Sequence, residues 1–397
     1  METSRVSREI DRTGKYSRGG RAACTVTARD FLLSAPVPVC QNLRVVGRAA
    51  FCVPITLEME NTKNIKVGLI GYGYWGPNLL RNFHETDGIE VTRCVDLRPE
   101  RRAAASKRYP TVKVSADADE ILSDSGIDAV ALATPVFTHH DLAKRALDAN
   151  KHVLVEKPMT STVGEADELI KLADSKNLVL MVDHTFVYTG AVRRIKEIID
   201  EGQLGELYYL DSVRVNLGLF QHDIDVIWDL APHDISILTY LIPEKPQSVS
   251  AVGADHTGRG LVDMAYLTLH FANNFIAHFH VNWLSPVKVR QNLIGGSRRM
   301  LVYDDMEPSE KVRVYDRGIQ VRSQEGIYRA LVDYRMGDVW SPKLDVREAL
   351  SVECEHFVDC IRRHKRPNSD SSSGLQVVKI LEAASASIAN GGHPVAI

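Results

Sequence analysis

Ile65-Lys66-Val67-Gly68-Leu69-Ile70 leads directly into Gly71-Tyr72-Gly73-Tyr74-Trp75-Gly76, and a helix-like stretch from Pro77 to His84 follows. A short apolar run closed by glycines suits a buried parallel strand. The three glycines then have separate duties. Gly71 permits a tight turn, Gly73 lets the backbone approach a diphosphate, and Gly76 lets the helix pack closely on the strand. A helix N-terminus presents unpaired N–H groups and the positive end of its dipole to such a diphosphate. The spacing alone is weak evidence, because a plain turn satisfies it as well.

At 397 residues the chain has room for about two domains, each with its own core. A formal net charge of -3 offers no basic field for nucleic acid or an anionic membrane. No run approaches the roughly 18 apolar residues that span a bilayer. Cys24, Cys40, Cys52, Cys94, Cys354 and Cys360 form no Cys-x-x-Cys pair, which points to a reducing, cytoplasmic setting.

Residues 1–60 differ from the rest. They are rich in Arg, Ser and Thr and carry no clean apolar h-region of a secretory signal. Glu2, Glu9, Asp11 and Asp30 argue against a transit peptide. The expectation is a disordered extension, or translation starting at Met59, with no part in chemistry. From Ile65 onward strand-like and helix-like pieces alternate. Strands are expected at 90–96, 129–134, 152–156 and 178–183, with helices at 99–109, 138–150 and 163–176. Such alternation means βαβ units and a doubly wound parallel sheet. This first domain is expected over 61–184.

Beyond about residue 184 the pattern changes. After one helix, 190–201, come long strand-like runs joined by turn signals such as Asn273-Asn274 and Gly295-Gly296. The expectation for 185–397 is an α+β domain with a large, mostly antiparallel open sheet. Two amphipathic helices close the chain within about 345–390, and they have the option of packing back on the first domain. In the first of them Leu350, Cys354, Phe357 and Ile361 form a core-facing stripe.

Four groups of residues have chemical potential. Asp96 follows the second strand, 25 positions after Gly71, where an acid accepts hydrogen bonds from the adenosine ribose. Its charge favours NAD, although Arg98, Arg101 or Arg102 has the charge to cradle the extra phosphate of NADP. The bland alternative is a turn aspartate. Thr134, Pro135 and His139 follow another strand end, where ligands collect in open α/β sheets. The blander view makes Pro135 a strand stop and Thr138 a helix cap. Glu156-Lys157-Pro158 would hold a lysine stiffly at the same edge, able to lower a substrate hydroxyl's pKa. Asp229 and His233 share one face if their segment is helical. Histidine suits the task of taking a hydroxyl proton, whereas Asp234 can serve as a mere cap.

Together these stretches resemble the Gfo/Idh/MocA family of NAD(P)-dependent oxidoreductases over roughly residues 64–392. The matching motifs are Gly71 to Gly76, Thr134-Pro135-Val136-Phe137-Thr138-His139, Lys151 to Pro158, and Asp229-Leu230-Ala231-Pro232-His233-Asp234. The resemblance implies a Rossmann domain followed by a domain whose open sheet serves oligomer contacts. It implies a catalytic set of Lys157, Asp229 and His233. It also places Gly71, Tyr72, Gly73, Tyr74, Trp75, Gly76, Asp96, Thr134, Pro135, His139, Glu156, Lys157 and His184 at the cofactor. Trp75-Gly76-Pro77-Asn78 and Trp228-Asp229-Leu230 look most like members that act on nucleotide-linked sugars.

The expected function is hydride transfer between NAD (or NADP) and a secondary alcohol of a nucleotide-linked sugar or related pyranose. The alternatives are an inositol or free-sugar dehydrogenase, and a non-catalytic NAD-binding regulator. A homodimer or homotetramer is expected, with no nucleic acid or membrane partner. His278, His280 and Asn282 alternate on one strand face, facing substrate, a subunit interface or solvent. His222 and Asp223 belong to no ligand set of recognisable spacing, so no metal is expected.

Overall fold

The computed structural model describes residues 63–218, 224–321 and 332–397. Expectations for residues 1–60, and for His222 and Asp223, fall outside the described residues.

Six parallel strands build the first sheet. They are β1 (Ile65–Ile70), β2 (Ile89–Val95), β3 (Lys113–Ser115), β4 (Ala129–Leu132), β5 (His152–Glu156) and β6 (Leu180–Asp183), in the order β3-β2-β1-β4-β5-β6. The order reverses beside β1, which opens a crevice at the carboxyl ends of β1 and β4. The intervening helices are α1 (Gly76–Glu85), α2 (Pro99–Arg108), α3 (Asp119–Leu122), α4 (His139–Asp148) and α5 (Val163–Ser175). Alternate strand residues feed two apolar layers. Val67 and Leu69 join one that contains Leu79, Leu80 and Phe83 of α1. Ile70, Val130 and Leu132 join another that contains Ala143 and Leu147 of α4 and Leu169 of α5. Burying each large apolar side chain contributes about 1.5–3 kcal/mol.

The second sheet follows α6 (Gly190–Asp200). Its strands are β7 (Leu207–Leu217), β8 (Ser248–Ala254), β9 (Met264–His270), β10 (Ile276–Asn282), β11 (Leu284–Gly296), β12 (Met300–Asp304) and β13 (Val312–Tyr315). A separate hairpin pairs β14 (Gly318–Val321) with β15 (Val332–Arg335), and β16 (Val339–Trp340) returns to the main sheet. The final strand β17 (Val395–Ala396) closes a nine-stranded order, β16-β13-β12-β11-β7-β10-β9-β8-β17. All its pairings are antiparallel except β7 with β10, where Phe279 lies beside Ser212. The sheet is therefore mixed at its centre.

One face of this sheet is covered by α7 (Val226–Leu241) and α9 (Ser371–Ala389). Ala277, Phe279 and Val281 of β10 point into that core. His278, His280 and Asn282 alternate with them and so occupy the opposite face. There His280 stacks on Tyr266 at 4.4 Å, and His278 Nδ1 meets the Thr268 hydroxyl at 3.0 Å. They stand on the side of the sheet away from α7.

The remaining helix, α8 (Ala349–Arg363), packs against α1. Cys354 and Phe357 lie in the same apolar layer as Leu79 and Phe83, and the Phe83 and Phe357 rings meet edge-on at 6.2 Å. Glu348 caps this contact from the surface by binding Arg81 at 2.5 and 3.0 Å. Among the described residues no helix is long and apolar enough to cross a membrane.

Two local expectations change. Thr138 makes no side-chain cap on α4; its hydroxyl donates instead to the Pro135 carbonyl and the Thr134 hydroxyl, both at 2.7 Å. Asp234 caps nothing, because it lies inside α7; Asp225 is the cap, accepting from the N–H groups of Ile227 and Trp228.

Candidate active site

The glycine turn has the shape its spacing demands. Gly71 adopts φ +99°, and a Cβ there would lie 2.4 Å from the Ala133 carbonyl oxygen. A Cβ on Gly76 would lie 2.1 Å from the Gly71 oxygen. Gly73 is different: a Cβ would meet only the Arg98 guanidinium, at 3.3 Å. Two glycines are thus required by the fold, while the third leaves open backbone for a ligand. Tyr72 is buried, whereas Tyr74 is 82% exposed.

Asp96 reaches back to this turn. Its carboxylate accepts from Tyr72 N at 2.7 Å and Arg98 N at 2.9 Å. Burial pushes its pKa up, but the N–H bonds from Arg98 and Tyr72 win and hold it below the usual value. The group stays anionic, with lone pairs left for hydroxyl donors. Arg98 Nε lies 3.4 Å from the same carboxylate. Arg102 is committed to the carbonyls of Asp96 and Leu97 at 2.9 and 2.8 Å.

The ends of β4 and β5 are tied together by His139. Its ring nitrogens meet the Thr134 carbonyl at 2.8 Å and the Pro158 carbonyl at 2.9 Å. Burial lowers its pKa; both nitrogens face backbone carbonyls, and a neutral ring donates to one of the two. Its place is that of a brace between two motifs. Pro135 is exposed beside it, and Thr134 is partly buried.

Glu156, Lys157 and His184 line the next part of the crevice. The Lys157–Pro158 peptide is cis. Burial pushes the Glu156 carboxyl up to about 8; nearby Lys157 opposes this, while Asp183 and Asp229 reinforce it. Among the described residues Glu156 Oε2 and both ring nitrogens of His184 are buried without a hydrogen-bond partner. Burial, and then the charge of Lys157, lowers His184 to about 3. Buried polar atoms ordinarily find partners. The ribose hydroxyls and carboxamide of a nicotinamide nucleotide offer donors and acceptors to such orphans, so the residues present fit that cofactor.

Lys157 connects the two halves of the chain. Its Nζ donates to the Asp229 carbonyl at 2.8 Å and approaches Asp229 Oδ1 at 3.3 Å. Pro232 has no N–H to donate within α7, so the Trp228 carbonyl, just before Asp229, lacks that helical partner. Trp283 Nε1 holds the other carboxylate oxygen at 3.1 Å. Lys157 has three N–H groups and two point at Asp229, which leaves one for a substrate oxygen.

His233 follows one turn later on α7, partly buried, with its ring edge-on to Phe186 at 5.2 Å. Among the described residues its ring nitrogens make no hydrogen bond. Burial, together with the charges of Lys157, Arg214 and Arg290, holds its pKa well below the ordinary value. A neutral imidazole with a free nitrogen beside a lysine can accept a proton from a hydroxyl that the lysine polarises.

The crevice also contains residues that the motifs do not reveal. Arg214 on β7 forms a two-pronged pair with Asp234 at 2.5 and 3.1 Å, both side chains almost fully buried. Its guanidinium covers Phe186 at 4.4 Å. Asp183 and Glu353 lie behind Trp75, fully enclosed. A signal for Glu353 exists: it falls at helical spacing on the apolar face of Leu350, Cys354 and Phe357. Among the described residues no group of three His, Cys, Asp or Glu side chains could hold a metal ion.

Known proteins share this arrangement. Residues 65–184 match the oxidoreductase family with an NAD-binding Rossmann fold, and 192–302 match the GFO/IDH/MocA C-terminal domain. The uncharacterized oxidoreductase YdgJ of Escherichia coli (strain K12) is 30% identical over 265 residues, 62% of this chain and 73% of that protein. UDP-N-acetylglucosamine 3-dehydrogenase of Acidithiobacillus ferrooxidans is 28% identical over 322 residues, 79% of this chain and 94% of its own. The solved structure of that enzyme has a TM-score of 0.70 at 26% identity, covering 82% of this chain and 97% of the other. The scyllo-inositol 2-dehydrogenase (NADP(+)) IolW of Bacillus subtilis (strain 168) is 28% identical over 225 residues, 52% of this chain and 60% of its own. Both halves of the fold and both halves of the crevice point the same way: the chain belongs to the Gfo/Idh/MocA family and is an NAD(P)-dependent dehydrogenase.

Proposed function

We propose that the chain oxidises a secondary alcohol of a nucleotide-linked sugar or related pyranose, with NAD as acceptor. The observation that carries this is the meeting of Lys157, Asp229 and His233 at the carboxyl edge of the first sheet. Lys157 donates to the reacting oxygen and favours its deprotonation. His233 takes the hydroxyl proton on a ring nitrogen that makes no hydrogen bond among the described residues. Asp229, held by Trp283, fixes the lysine. Nicotinamide, when bound, accepts the hydride from the same carbon. Gly73 and the α1 N-terminus would hold the diphosphate of such a cofactor, and Asp96 would accept from its ribose hydroxyls. Because Asp96 stays anionic, a 2′-phosphate is disfavoured, with Arg98 as the counterweight.

The sugar assignment is supported by the relative that acts on UDP-N-acetylglucosamine, matched over nearly its whole length. A free inositol is the second reading, supported by the shorter match to an inositol dehydrogenase. Reduction of NAD and NADP against a panel of UDP-hexosamines, free sugars and inositols separates them. The expected result is fastest turnover with NAD and a UDP-sugar. Turnover of inositols alone would overturn the assignment.

The reading includes self-association through the bare face of the nine-stranded sheet. Val252, Tyr266 and Ile276 are exposed there, 37–55% each, beside His278 and His280. Contiguous apolar area of this kind favours burial against a second copy. Light scattering at micromolar concentration is expected to give a dimer or tetramer, and a monomer refutes this part.

A further inference from the structure

Glu353 is a buried acid that the proposed chemistry does not use. It lies on α8 with no exposure, and among the described residues neither carboxyl oxygen has a hydrogen-bond partner. It faces Asp183 at the end of β6 and the Thr185 hydroxyl. Asp183 is itself 2% exposed. Its two oxygens accept from Trp75 Nε1 and from the Thr185 hydroxyl, each at 2.6 Å. Trp75 is the residue just before Gly76, the first residue of α1. A line of contacts thus runs from α8 through Asp183 to the glycine turn.

Two carboxyls facing each other in a dry site do not both ionise. If one keeps its proton, it donates to the other, and one of the two orphaned oxygens of Glu353 gains a partner. Other groups face the pair. Glu156 on β5, itself pushed up to about 8 by burial, adds negative charge as it ionises in alkali, Lys157 opposes it, and Tyr188 and Cys354 border Glu353. Burial and the Asp183 charge push Glu353 well above the usual carboxyl range, and burial raises Asp183.

We propose that Glu353 is a positioning residue for cofactor binding: it shares a proton with Asp183, and the pair anchors the Trp75 indole so that the turn keeps the shape a dinucleotide needs. This rests on the reading of Gly71–Gly76 as the diphosphate cradle. The proton is retained at neutral pH and lost as pH rises through the elevated values. The two carboxylates then repel, and the anchor loosens.

Calorimetric titration of NAD into the full chain, across pH, tests this. Wild type is expected to bind progressively more weakly in alkali. Glu353→Gln, whose amide donates at every pH, is expected to keep neutral-pH affinity and to show a smaller alkaline weakening than wild type, only the part set by Glu156 remaining. Glu353→Leu removes the donor, and the NAD Kd at neutral pH is expected to rise roughly tenfold, about one charged hydrogen bond. Its kcat at saturating NAD should move far less than its KM for NAD. Trp75→Phe, which deletes the indole N–H together with part of the ring, is expected to give at least a similar rise, and Glu353→Leu is expected to add no further loss on top of it. A Glu353→Gln variant with the wild-type pH dependence overturns the proposal, and so does a folded Glu353→Leu that binds NAD like wild type. If Glu353→Leu fails to fold, the Gln and Phe variants decide. A wild-type chain that binds neither NAD nor NADP would overturn the cradle reading itself, and this proposal with it.

Discussion

Replacing His233 with alanine is expected to lower kcat by roughly 10²- to 10⁴-fold, the usual contribution of a positioned acid–base group. NAD affinity should be largely retained, because the ring makes no hydrogen bond to the described residues. Steady-state NADH formation, with a separate binding titration, checks both. The pH profile carries a further signature. His233 is held well below 6.5 by burial and by Lys157, Arg214 and Arg290. The base is therefore lost only at acid pH, and the acid limb of the rate should fall below the ordinary imidazole value. Stability follows the same sign. A depressed pKa contributes stability above 6.5, which is lost as pH falls through the folded value. If neither Lys157→Ala nor His233→Ala slows turnover, the assignment of both residues is wrong.

Arg214→Leu is expected to destabilise the fold by about 3–5 kcal/mol, the cost of leaving a buried charge without its partner. Arg214 and Asp234 are each 2% exposed and bonded through both carboxylate oxygens. Asn292 Nδ2, 3.4 Å from Asp234, is too weak a substitute. Urea unfolding measures the loss. Replacing both partners with leucine should recover part of it, because the orphaned carboxylate disappears too. An Arg214→Leu protein as stable as wild type would show that water reaches Asp234. The same substitution removes one of the charges that depress His233, so its acid limb should move upward.

What was legible in the chain follows from what leaves a local mark. The glycine turn and Asp96 were readable because their spacing is set by a single βαβ unit. The Lys157 motif was readable because it sits at a strand end, and Asp229 and His233 because they stand four apart on one helix face. The central pairing of β7 with β10 was not, since parallel neighbours far apart in sequence leave no turn signal between them. α7 was hard to delimit because apolar residues surround it on nearly every side, which blurs the helical period. Asp234 looked like a cap for the same reason; its true partner, Arg214, comes from a strand 20 positions earlier. Glu353 was overlooked because a charged residue within an apolar stripe is ordinarily assigned to solvent. Its acid partner is on another element, and no local rule joins them.

The packing of α8 against α1 reverses the order in which the chain is read. Synthesis delivers the glycine turn early and Phe357 nearly last. Yet the apolar layer under that turn lacks Cys354, Phe357 and Ile361 until the final helices emerge. The nucleotide-binding half is therefore begun first and finished last. Its exposed flank has to wait, through the making of all but the last strand of the second sheet, for the wall that closes it.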